Sequence, residues 1–109
     1  MRNGIAACVL GLALAAPAAV AQVDEAGAMA LLKQSKCLSC HSVDKKKDGP
    51  SYREVAAKYK GKADAEATLT KHLTEPSMVE IDGEEEEHGA VKTRDKAKIK
   101  NLVDWILSL

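Results

Sequence analysis

Two thiols and an imidazole stand within five residues of each other, in Cys37-Leu38-Ser39-Cys40-His41. Thiols three positions apart on a helical turn can add to two vinyl groups on one edge of a haem, forming two thioethers. The residue that follows is then directed at the iron from one face of the ring. Cys-x-x-Cys-His is therefore the pattern of covalent c-type haem attachment. It makes Cys37 and Cys40 the cofactor-binding residues of a single haem c, and His41 the proximal axial ligand of its iron.

Two rival chemistries use similar residues. A thioredoxin-like redox pair has the same cysteine spacing, but it belongs beside a βαβ pattern, and none is visible. A zinc site needs a second pair of ligands at suitable spacing. The only other cysteine is Cys8, and His72 and His88 do not supply a zinc-knuckle spacing.

Cys8 falls in a segment that reads as a secretory signal. Arg2 supplies a positive start, an uncharged apolar run follows from Gly4 to Ala16, and Ala19-Val20-Ala21 offers small residues for cleavage. The expected division is 1–21 as a cleaved signal peptide and 22–109 as one domain in the bacterial periplasm. A retained anchor is the alternative, but a spanning helix needs roughly 20 apolar residues and this Ala-rich run contains Pro17. A lipid attachment at Cys8 is disfavoured because most of the apolar run follows it.

Cleavage would leave two cysteines too close together to staple distant parts of a chain. The chain also has no Phe, one Trp and two Tyr. Aromatic side chains bury the most area per residue, so such a domain has a thin core, and a large apolar cofactor would complete it. The formal net charge is zero. Only Arg2 among the charged residues precedes Gln22, so the mature chain is expected at −1, which does not suggest nucleic acid. Lys45-Lys46-Lys47 and Glu84-Glu85-Glu86-Glu87 form opposed charge runs. Such runs are commonly solvated surface, and they can also steer a charged partner.

These residues require a helical frame. Asp24 is a good N-cap for a helix through Ser35, with Ala28, Leu31, Leu32 and Ser35 on one face. Gly27 would permit a close helix crossing. Gly49-Pro50 marks a turn, and Tyr52 to Lys60 reads as a short helix closed by Gly61. A third helix follows Asp64 to Thr74, with Ala65, Leu69, His72 and Leu73 roughly on one face. Glu75 to Lys92 has no sustained period and reads as an irregular connection, without strands. Thr93 is expected to cap a last helix in which Ile99, Leu102, Val103 and Ile106 form a buried stripe.

The chain resembles the small bacterial periplasmic class I cytochromes c with one haem. The resemblance rests on the helix leading into Cys37-Leu38-Ser39-Cys40-His41, on Asp48-Gly49-Pro50-Ser51-Tyr52-Arg53-Glu54-Val55-Ala56, on Lys58-Tyr59, and on Leu102-Val103-Asp104-Trp105-Ile106-Leu107-Ser108-Leu109. It implies an all-α cytochrome c fold, three to four helices wrapped around one covalently bound haem. It further implies that Gly27 and Leu31 pack near Leu102 and Trp105. The carbonyl of Pro50 is implied to accept a hydrogen bond from the His41 ring, which would orient that ring and raise its basicity.

The sequence departs from this family at the sixth ligand, usually a Met in a Pro-rich loop before the last helix. No Met-Pro loop is present; His88, Met78 and His72 remain. The family Met lies about as far before the last helix's Trp as His88 lies before Trp105, whereas Met78 lies ten residues further back. His88 is the expected distal ligand, Met78 the alternative, and His72 reads as a packed or surface residue. An open or exchangeable site is the remaining possibility.

The expected function is one-electron transfer in a periplasmic chain, with no enzyme activity of its own. Transient docking to redox proteins as a monomer, with no nucleic acid and no membrane embedding, completes this reading. The alternatives are a haem-based sensor of small ligands or a haem subunit of a larger redox enzyme.

Overall fold

The computed structural model describes residues 11–13 and 22–109. The expected signal segment therefore lies outside the described residues, apart from Gly11, Leu12 and Ala13. No helix among the described residues is long and apolar enough to cross a membrane.

Four α-helices carry the fold. α1 spans Glu25–Gln34, and the Asp24 carboxylate caps it by accepting from the Gly27 N–H. Its buried face is Ala28, Leu31 and Leu32. A single 3-10 turn, Cys37–Ser39, follows Lys36, which takes the left-handed conformation at φ 59°. α2 spans Tyr52–Tyr59 and begins with a reciprocal cap: the Ser51 hydroxyl accepts from Glu54 N–H, and the Glu54 carboxylate accepts from Ser51 N–H. α3 spans Ala65–Thr74 and buries Ala65, Leu69 and Leu73. α4 spans Lys96–Ser108.

α4 is the hub, packing against α1, α2 and α3. Its Leu102 and Val103 are fully buried, as is Leu32 of α1. Leu31, Leu102 and Trp105 join one core cluster, as the resemblance implied. The α1–α4 crossing is locked at its edge by two reciprocal bonds: Asp24 N–H donates to Asn101 Oδ1, and Asn101 Nδ2 donates to Asp24 O, both at 2.8 Å.

Three expectations need correction. A side chain on Gly27 would meet the Asp24 carboxylate first, at 2.3 Å, so this glycine makes room for the helix cap rather than for a close crossing. The cap of α4 is Asp95, not Thr93. The Asp95 carboxylate reaches the Ala97 and Lys98 N–H groups, while the Thr93 hydroxyl accepts from Asp95 N–H, two residues too early to cap.

The third correction concerns the segment expected to be irregular, which contains a β-hairpin. β1 (Ser77–Ile81) and β2 (Glu84–His88) pair antiparallel. Asp82 and Gly83 connect them at φ 52° and 83°. Positive φ at both central residues is the signature of a type I′ turn, whose twist matches that of the strands. Opposed residues share a face, so Val79, Ile81, Glu84, Glu86 and His88 lie on one side. Met78, Glu80, Glu85 and Glu87 lie on the other.

Candidate functional site

Cys37 to His41 is held as a closed loop by its own backbone. His41 N–H and Cys40 N–H both reach the Cys37 carbonyl, at 3.0 and 3.3 Å. Gly49 N–H donates to Cys40 O at 2.8 Å, and Tyr52 N–H donates to Ser42 O at 2.9 Å. The Lys47 ammonium pins the middle of the loop by donating to Leu38 O at 2.9 Å. Cys37 and Cys40 are half-buried free thiols. Burial pushes the Cys37 thiol up, an effect partly offset by a hydrogen bond with Tyr52. Burial also raises the Tyr52 phenol, with the Cys37 charge adding to it.

His41 is rooted in the helical core through aromatic contacts. Its ring stacks on Tyr52 at 5.0 Å, and Tyr52 meets Trp105 of α4 edge-on at 5.8 Å. Nδ1 of His41 donates to the Pro50 carbonyl at 2.7 Å, the contact that the resemblance implied. That bond places the proton on Nδ1 and leaves Nε2 as the ring's electron-pair donor.

The second imidazole comes from the hairpin. His88 ends β2, and its ring lies edge-on to that of His41 with centroids 6.2 Å apart. Its Nδ1 is buried and is the only such side-chain atom, among the described residues, without a hydrogen-bond partner. Burial, followed by the nearby His41, holds its pKa below the ordinary value, so the neutral form is favoured. Met78 is 59% exposed and lies on the opposite face of the hairpin from His88. Its position outside the site follows from the pairing register.

His72 is a surface residue of α3. Its ring nevertheless lies 4.0 Å from that of His88. Partial desolvation of the imidazole, then the charges of His88 and His41, lowers its pKa. No sequence signal links His72 to His88, because α3 and β2 meet only through the tertiary fold.

The arrangement offers two thiols at one edge, one imidazole with a free Nε2, and a second imidazole across from it.

Comparison with known proteins identifies the family. The model of the cytochrome c family matches residues 25–109. Cytochrome c-551 of Stutzerimonas stutzeri is 42% identical over 92% of this chain and 89% of its own. Cytochrome c-552 of Hydrogenobacter thermophilus is 35% identical over 72% of this chain and 78% of its own. The class 1 cytochrome MtoD of Sideroxydans lithotrophicus superposes with a TM-score of 0.75 at 52% identity, covering 80% of this chain and 97% of that one.

Proposed function

Because the chain belongs to the cytochrome c family, and so is an electron-transfer protein with one covalent haem c, we propose that it carries single electrons between periplasmic redox proteins. In this reading Cys37 and Cys40 form the thioethers, His41 is the proximal ligand and His88 the distal one.

The residues fit the group. The carrying observation is the spacing of the two imidazoles. Rings that share one metal ion at about 2 Å from each nitrogen have centroids about 6 Å apart, and His41 and His88 lie 6.2 Å apart. The partnerless Nδ1 of His88 is a second indication, since a buried polar atom normally finds a partner. Removing Met78 from that face also favours His88 over the methionine alternative.

The haem supplies a one-electron couple; the chain's residues set its conditions. Pro50 holds the His41 ring and raises its basicity through Nδ1. Tyr52 and Trp105 exclude water behind it. A second imidazole in place of methionine lowers the potential, because Met/His ligation is the arrangement that raises it. The glutamates of β2 favour the oxidised state further.

The exposed Lys45–Lys47 loop and the exposed glutamates of the hairpin would guide brief, weak docking of a monomer. Export by cleavage after Ala21 belongs to the same reading. The likeness to electron carriers favours it over a small-ligand sensor.

Ferric and ferrous absorption spectra test the ligand assignment. The wild type is expected to be low-spin, without the weak red-end band of methionine ligation. His88→Ala should lose the low-spin signature and Met78→Ala should keep it; the reverse pattern would sink the assignment.

A further inference from the structure

The distal imidazole is the last residue of a hairpin, and the strands themselves do little to fix where that residue falls. The cross-strand pairs are Ser77–His88, Met78–Glu87, Val79–Glu86, Glu80–Glu85 and Ile81–Glu84. None is a pair of apolar residues and none is a pair of opposite charges. Glu80–Glu85 sets two like charges directly opposite one another, which is unfavourable. The strands have five residues each, and an isolated hairpin of this size is marginal in water.

Register in a hairpin is set by burial pattern and by turn geometry. Glutamates occupy both faces of β2, so burial along β2 specifies little, and the only burial signal in β1 is the partial cover of Val79 and Ile81 on the His88 face. The turn remains. Asp82-Gly83 holds positive φ at both positions, a conformation that Gly and Asp tolerate and that β-branched residues do not. A slip of one residue would turn every β2 side chain to the other face. His88 would then leave His41 and Glu87 would take its side.

We propose that the Asp82-Gly83 turn is the positioning element for the sixth iron ligand, setting through strand register whether His88 faces His41. This rests on His88 being that ligand. Asp82 and Gly83 touch no part of the metal site and act only through the ladder. The rival anchor lies at the other end of the hairpin, where Val91 is buried and its N–H donates to Leu73 O at 2.8 Å.

The test uses haem-loaded protein and two readouts, the ferric spectrum and the rate at which added imidazole binds the ferric iron. Gly83→Val should give a mixed-spin spectrum and raise the imidazole rate roughly tenfold. Asp82→Asn should behave as wild type, because Asn-Gly forms the same turn. Leu32→Ala, a buried change in α1, controls for general loss of stability and should lower the melting temperature with little effect on either readout. A wild-type spectrum and rate in Gly83→Val would overturn the proposal and leave Val91 as the sufficient anchor. An equal rise in Leu32→Ala would overturn it in favour of global loosening. A wild-type spectrum in His88→Ala would instead remove the ligand assignment beneath it.

Discussion

A methyl group on Gly49 would sit 2.6 Å from Cε1 of His41 and 2.9 Å from Nδ1. The backbone there is unremarkable for any residue, so the obstacle is steric. Gly49→Ala must therefore shift the His41 ring or the loop, and should cost about 1–3 kcal/mol. The denaturant midpoint measures the cost, and a changed reduction potential would report the displaced ring. An unchanged midpoint would mean that the ring has slack. A second prediction concerns the α2 cap. The Ser51 N–H, and then the Ser51 hydroxyl, hold the Glu54 carboxyl below its ordinary 4.5. A carboxyl depressed on folding stabilises fully above its unfolded value and loses that contribution as pH falls through the folded one. Stability should decline below about pH 4.5, and Glu54→Gln should flatten the decline; equal slopes in both proteins would remove Glu54 as its source. At this scale Cys37 to His41 was legible because its members are adjacent in the chain. The contact of His72 with His88 was not, since it joins two elements whose packing no local pattern encodes.

The helices follow from local rules, and so do most of their ends. Asp24 and the Ser51–Glu54 pair begin α1 and α2 as their positions suggest, and the apolar stripe of α4 is buried as its spacing requires. Leu102 lies at the centre of that stripe with no exposed surface. Leu102→Ala should cost about 2–5 kcal/mol, read as a lower denaturant midpoint, and a loss under 1 kcal/mol would mean that the core collapses around the gap. The hairpin escaped the sequence reading for a physical reason. Strands are recognised by alternation, and four consecutive glutamates erase it, besides being poor strand formers. The one clear signal was Asp82-Gly83, a dipeptide that favours type I′ turns wherever two short strands can flank it. The Thr93 cap failed on a finer point: Thr93 and Asp95 can both cap, and only the geometry of the first turn decides.

Across the whole molecule, charge of opposite sign flanks the two imidazoles. Lys47 is tied to the loop of Cys37–His41, and the glutamates of β2 lead directly to His88. Near-zero net charge therefore conceals a polarised surface. Electron exchange with a small cationic reagent should slow as salt rises from about 0.01 to 0.15 M, while the screening length falls from about 30 to 8 Å. Glu85→Gln combined with Glu87→Gln should lower both the rate and its salt dependence, and an unaltered salt slope would exclude the hairpin as a docking surface.

The paired bonds between Asp24 and Asn101 join residues 77 positions apart. They close a loop that contains both thiols and all three imidazoles, and such closure carries an entropic cost that only the completed α1–α4 contact offsets. α4 is made after every other element described. During synthesis, then, α1 has no partner to fold against until α4 emerges. Cys37 and Cys40 stay on an open, flexible strand of nascent chain for that whole interval, reachable by whatever machinery must handle them before the fold shuts.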